Sequence, residues 1–177
     1  MRIAIIGAGV GGSLIARELS RYDAEIIVFD REVDVGFVVT KANSGIIHAG
    51  FHDEPGTLRA RFCVLGNALY PELAEELEFS FRRIGALVLA FNIAEEKTLK
   101  RLWEQGEANG VPDLALLSGE EVLAEEPEVN PAVRAGLFAP MVGITAPWEV
   151  AQAAAENAQD NGAEFHLGEE VLGIEIK

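Results

Sequence analysis

The sequence predicts an α/β fold: a Rossmann-like parallel sheet with a large insertion. Three observations carry this. Strand–helix–strand signals stand at residues 2–30 and again at 147–177. The first contains Gly7-x-Gly9-x-x-Gly12 between its opening strand and its helix. More than 110 residues, with helices and strands of their own, separate Asp30 from Pro147. In a simple dinucleotide-binding domain the third strand follows soon after the second. An insertion of this size favours a nucleotide domain split in the flavoprotein manner.

Each element has a local reason. RIAIIGAG reads as a strand buried on both faces, and AEIIVFD as a second, since near-continuous apolar strands flanking a helix mark a parallel sheet. Between them, Val10 to Arg21 carries Leu14, Ile15 and Leu19 at helical spacing. Residues 31–47 are irregular, with KANSG as a loop. A long helix is expected over Thr57 to Leu77, broken or kinked at Gly66 and Pro71. RRIGALVLAF reads as one strand. AEEKTLKRLWEQGEANG is a helix with acids in its first turn and Asn-Gly at its end. LALLS is a short strand, and Ser118 with Glu121 three residues on signals a capping box. AGLFAP is a further strand. Pro147 to Asn161 is a helix starting on proline and stopping at Asn-Gly. AEFHLGEEVLGIEIK then supplies one strand, or two close together.

The chain has 177 residues, 49% of them hydrophobic, and a formal net charge of −15. Such a charge repels nucleic acid and anionic membrane surfaces, so no nucleic-acid partner is expected. An anionic ligand needs a local device to overcome the field. No apolar stretch is long enough for a transmembrane helix, and the first residues, a short apolar run followed at once by glycines and charges, do not read as a signal peptide. Cys63 is the one cysteine and reads as a small buried hydrophobe in a reducing compartment. No His, Cys, Asp and Glu spacing reads as a metal site. Trp103 and Trp148 read as packing residues, the acidic groups at 72–78 and 120–128 as solvated faces, and His166 as a solvent-facing strand residue.

The glycine loop is the device an acidic chain needs. Gly7 permits the tight turn, Gly9 lets backbone approach a diphosphate, and Gly12 lets the helix close on the strand. The helix N-terminus adds amide donors and partial positive charge. Asp30, ending the second strand 18 residues after Gly12, can accept both hydroxyls of a ribose and would repel a 2′-phosphate. Arg31 follows it. These features point to a dinucleotide but do not separate FAD from NAD.

The segment TKANSGIIHAGFHDEPGTLRARFCVLGN, residues 40–67, separates them by resemblance. Asn43-Ser44-Gly45-Ile46-Ile47-His48-Ala49-Gly50, then Pro55-Gly56-Thr57-Leu58, resemble the FAD-dependent oxidoreductases of the D-amino-acid oxidase superfamily. The nearest branch is that of glycerol-3-phosphate dehydrogenase and L-2-hydroxyglutarate dehydrogenase. GALVLAF and GITAPWEVAQAAAENAQDNGAEF also resemble segments of it. Val38-Val39 departs from the pattern, which has glycine and then serine or threonine there. The resemblance covers only the N-terminal part of such proteins.

It implies a three-layer, Rossmann-like FAD-binding domain over residues 1–80 and 145–177, incomplete at its C-terminal end. Residues 81–144 would be part of an α+β substrate domain. It implies non-covalent FAD held by Gly7, Gly9, Gly12, Asp30, Arg31, Thr40, Lys41, Asn43, Ser44, Gly45 and backbone at Val171. His48 is the first candidate for the base or a flavin contact and His52 the second, histidine titrating near working pH. Either of Arg59 and Arg61 could attract an anionic substrate, although two residues apart on a helix they cannot both point the same way. The parent enzyme would pass a hydride from a hydroxy acid or glycerol 3-phosphate to flavin, with the electron acceptor open. Its location would be cytoplasmic, with peripheral association with the inner membrane as an open alternative. The chain is expected to be a fragment lacking a C-terminal half. Three other readings stay open: an amine or amino-acid oxidase of the same superfamily, a non-catalytic dinucleotide-binding module needing a second chain, and covalent flavin attachment through His48.

Overall fold

The strands, in chain order, are β1 (Arg2–Ile6), β2 (Glu25–Asp30), β3 (Ile46–Ile47), β4 (Phe81–Arg83), β5 (Leu87–Ala90), β6 (Ala115–Ser118), β7 (Ala135–Phe138), β8 (Gly143–Thr145) and β9 (Glu164–Leu167). The helices are α1 (Val10–Leu19), α2 (Leu58–Leu77), α3 (Ile93–Asn109), α4 (Gly119–Glu125) and α5 (Pro147–Asp160). They come from a computed structural model that describes residues 1–176. The chain divides into two compact units. Unit 1 holds Met1–Gly45, Glu72–Phe81 and the residues from Thr145 onward; unit 2 holds Ile46–Pro71 and Arg82–Ile144. Residues 46–71, grouped with the nucleotide segments on sequence, lie in unit 2.

Unit 1 is built on the parallel sheet β1-β2-β9. Ile3 pairs with Ile26 and Asp30 with Leu167, so the two distant strand–helix–strand segments share one sheet. β2 is central, and its Ile26 and Val28 are fully buried, each contributing about 1.5–3 kcal/mol of apolar burial. β1 is not buried on both faces as its sequence suggests. It pairs only with β2, and Ile6 at its end is 59% exposed. Helices α1 and α5 pack closely because their facing residues are small: Ser13 and Ala16 on one, Ala151, Ala154, Ala155 and Ala158 on the other. Beyond β9, residues 169–176 form no further strand, and Leu172 and Ile174 are exposed. Their alternating pattern finds no partner strand among the described residues, which leaves the second expected strand unformed.

Unit 2 packs the antiparallel sheet β5-β7-β6 against α3 and α4. Its core gathers Phe51, Leu99, Leu102, Leu137 and Val142. Helix α3 starts at Asn92, whose side chain accepts the Glu95 N–H, and ends on Gly110 at φ 76°. The capping box expected at Ser118 and Glu121 is formed. The expected single strand RRIGALVLAF is two, β4 and β5, because Gly85 at φ 70° turns the chain and its N–H donates to Val142 O at 3.0 Å. The two-residue strand β3 pairs antiparallel with β8 through Ile46↔Ile144 and Ile47↔Gly143. Helix α2 runs unbroken through Gly66 and Pro71. Proline removes one N–H, and the carbonyl it leaves free, that of Asn67, takes a side-chain donor instead: Arg83 Nη2 at 2.9 Å.

Candidate functional site

Each unit carries a cleft lined by residues with chemistry to offer.

In unit 1 the glycine loop leaves β1 and enters α1 beneath a cleft of about 380 Å³. Gly7 sits at φ 106°, a conformation other residues rarely adopt, and its N–H donates to Phe29 O at 2.7 Å. A Cβ on Gly12 would lie 1.8 Å from Gly7 O, so only glycine lets the helix close on the strand. Gly9 is the N-cap of α1 and contributes no side-chain cap. The Val10 N–H instead donates to the hydroxyl of buried Thr40 at 3.1 Å. Asp30 locks the loop. One carboxylate oxygen accepts the Ala8 N–H at 2.6 Å and the other the Glu32 N–H at 2.9 Å. Each oxygen has a second lone pair for another donor.

Gly7, Gly9, Asp30, Arg31, Thr40 and Val171 all line this cleft. Gly12 stands behind it, shaping the loop. Lys41, Asn43, Ser44 and Gly45 do not line it. The Lys41 ammonium lies 3.5 Å over the Phe37 ring, beside a second hollow that includes Trp148. Trp148 is half exposed rather than packed. Asn43 builds the turn: its amide donates to Thr40 O at 2.5 Å, and its oxygen accepts the Gly45 N–H at 2.8 Å. Gly45 at φ 68° lies so close to Thr145 O that a Cβ would be 2.3 Å from it. Sequence reading missed the acids Glu32, Glu169 and Glu170 on the cleft wall. It singled out Val38 as a departure, and Val38 lines the cleft at φ 60°, a left-handed conformation costly for a β-branched residue.

In unit 2, His48, His52, Asp53, Arg59 and Cys63 surround a hollow of about 390 Å³. The two imidazoles meet edge to face, with centroids 6.4 Å apart. His52 also lies 4.0 Å from the Phe51 ring, and burial, with His48 next in weight, holds its pKa below the ordinary histidine value. Asp53 is 7% exposed and pairs with Arg59 Nε at 2.7 Å. The Arg59 side chain is otherwise open to solvent. Arg61 does not line the hollow. Cys63 is half-buried at the wall, not in the core; burial and Asp53 push its thiol up to about 11. It is therefore a poor nucleophile at neutral pH. Asp53 and Cys63 were not assigned to this site from sequence, and the only available signal was their nearness in the chain to His52 and Arg59.

Residues 2–177 match the family described as DAO, FAD dependent oxidoreductase. A glycerol 3-phosphate dehydrogenase of Caloramator mitchellensis is 50% identical over 175 residues, covering 99% of this chain and 36% of that protein. Human mitochondrial L-2-hydroxyglutarate dehydrogenase is 35% identical, with 98% of this chain and 38% of that protein covered. Among solved structures, the dithionite-reduced L-α-glycerophosphate oxidase of Mycoplasma pneumoniae with FAD bound superposes with a TM-score of 0.89. It is 33% identical, with 96% of this chain and 45% of that one covered. The L-proline dehydrogenase of P. horikoshii is similar with a TM-score of 0.88 and 31% identity, over 99% of this chain and 46% of that one. The chain spans less than half the length of each of these relatives.

Proposed function

Because the chain belongs to the family of FAD dependent oxidoreductases, we propose that it is the N-terminal portion of an enzyme oxidising glycerol 3-phosphate or a 2-hydroxy acid. The observation that carries this reading is the glycine loop, with the helix start that it opens and Asp30 on one cleft. Thr40 holds the Val10 N–H, and the first-turn amides that follow it, with no side-chain cap from Gly9, suit a diphosphate. Asp30, with lone pairs to spare, suits the hydroxyls of the adjoining ribose. The acids around it disfavour a 2′-phosphate. The chain's residues thus fit FAD, with Gly7, Gly9, Asp30, Arg31, Thr40 and the backbone at Val171 as the holding set and Gly12 shaping the loop. Asn43 and Gly45 serve by fixing the turn that follows, with Ser44 between them. Lys41, turned onto Phe37, is assigned to long-range charge compensation.

Bound FAD supplies the hydride acceptor for a carbinol carbon. The chain supplies the proton chemistry. His48 takes the hydroxyl proton on a ring nitrogen as the carbon–oxygen bond becomes a carbonyl. His52, held toward its neutral form, keeps a second cation from forming beside it. Arg59, exposed and tethered at Asp53, attracts the phosphate or carboxylate of the substrate. Anaerobic mixing of the FAD-loaded full-length enzyme, of which this chain is the N-terminal portion, with glycerol 3-phosphate or L-2-hydroxyglutarate tests the reading. Bleaching of flavin absorbance by one of them, slowed about 10²-fold or more in His48→Gln, is the expected result. Bleaching by neither contradicts it.

A second reading, oxidation of a secondary amine, is favoured by the similarity to L-proline dehydrogenase. Proline in the same assay separates the two. Among the described residues no helix is long and apolar enough to cross a membrane.

A further inference from the structure

Asn67 lies in the middle of α2 and is 4% exposed. A buried carboxamide is costly unless its donors and acceptor are met, and here they are. Its Nδ2 donates to His48 O at 3.0 Å and to Met141 O at 2.9 Å, with Ile47 O at the long distance of 3.4 Å. Its Oδ1 accepts from Arg83 Nη1 at 2.8 Å. Its backbone carbonyl, released by Pro71, accepts from Arg83 Nη2 at 2.9 Å. The same guanidinium donates to Met141 O. One planar cation and one amide therefore tie α2, β4, Met141 and the His48 segment together within unit 2.

The carbonyls of Ile47 and His48 belong to the two peptide planes on either side of the His48 Cα. Holding both planes fixes φ and ψ of His48, and with them the direction of its Cα–Cβ bond. No hydrogen bond to the His48 imidazole is found among the described residues. The ring is exposed, and its contact is the edge-to-face approach of His52. Its aim therefore comes from the backbone, and the backbone is held by Asn67. Cys63, one helical turn earlier, adds a weak contact from Sγ to His48 O at 3.5 Å.

We propose that Asn67, locked in place by Arg83, is a positioning residue that sets the direction of the His48 side chain. This rests on the reading of His48 as the base. Asn67 touches neither substrate nor cofactor and acts only through His48. The pairing of buried Asn67 with half-buried Arg83 also explains why the helix tolerates Pro71 where it does: the proline frees the carbonyl that anchors the arginine.

A double-mutant cycle tests the proposal. In the full-length enzyme, the rate of flavin reduction at saturating glycerol 3-phosphate, or L-2-hydroxyglutarate if that is the better reductant, is measured for Asn67→Ala, His48→Gln and the pair. Asn67→Ala is expected to slow reduction about tenfold when His48 is present. In the His48→Gln background its effect should fall below about twofold, since there is no base left to misplace. An equal loss in both backgrounds, or none when His48 is present, overturns the proposal. If His48→Gln alone does not slow reduction, the base reading fails instead. The positioning claim is then decided in the flavin-free chain by NMR. Asn67→Ala should shift the His48 Cε1–H resonance and leave that of His166 unmoved. An unmoved His48 resonance overturns the claim. If Asn67→Ala does not fold, Arg83→Lys, which keeps the charge and loses the fork, takes its place in both measurements.

Discussion

Val38 shows how a single residue departs from its surroundings. Its φ of 60° puts a β-branched side chain in the left-handed region, and that side chain is 49% exposed on the cleft wall. The left-handed conformation costs an L-residue about 1–2 kcal/mol, against about 0.5–1 kcal/mol for the extra chain entropy of glycine. Val38→Gly should therefore raise stability by up to about 1 kcal/mol in urea unfolding, whereas a loss of stability would contradict the strain. The sequence exposes the anomaly through the Val-Val pair, though not its backbone angle. The histidines give a second prediction. His52 is shifted below the ordinary value near 6.5 by burial, so the unfolded chain binds its proton more readily. Its contribution to stability is intact above about pH 6.5 and is lost as pH falls through the folded value. His166 is shifted upward by hydrogen bonds to Glu169 and Glu164. Its contribution is complete below about pH 6.5 and is lost as pH rises through the folded value. NMR titration should place the His52 midpoint below 6.5 and that of His166 above it. Reversed midpoints would contradict both assignments.

Helices were more legible than strands for a physical reason. Asn92, Ser118, Gly110 and Pro147 act on the backbone within a few residues, so α3, α4 and α5 carry their boundaries in their own sequence. β3 is two residues long and exists through its pairing with β8, which no local pattern announces. RRIGALVLAF reads as one strand because apolar residues flank Gly85 on both sides, and only the turned backbone divides it. Helix α2 hides the opposite case: its proline is tolerated because Arg83 answers the freed carbonyl from a distant strand. Two substitutions test the element scale. Asn92→Ala removes the α3 cap and should cost about 1 kcal/mol. Gly12→Ala would force a Cβ to within 1.8 Å of the Gly7 carbonyl oxygen, and should cost about 1–3 kcal/mol as α1 is pushed off β1. Denaturant midpoints measure both, and an unchanged Gly12→Ala would refute the close-packing role of that glycine.

At the scale of the molecule, the parallel sheet was legible because β1 and β2 are apolar runs set on either side of a helix, and β9 follows a second helix of matching pattern. The division into units was less so, since α2 crosses from one to the other without a break and residues 46–71 carry no boundary signal. The FAD family follows from the whole chain, whereas the residues proposed to hold FAD are read from the cleft alone. That makes the cleft the place for a decisive test. A Cβ on Gly9 would already lie 3.1 Å from the Thr40 hydroxyl that holds the Val10 N–H, so Gly9→Val both fills the cradle and dislodges Thr40. FAD is titrated into the isotopically labelled chain and into Gly9→Val, following the amides of Gly7 to Val10 and of Asp30. Saturable shifts at those amides, weakened about tenfold or more by Gly9→Val, are the expected result. Equal affinity in the two proteins, or shifts confined to other surfaces, would contradict the account.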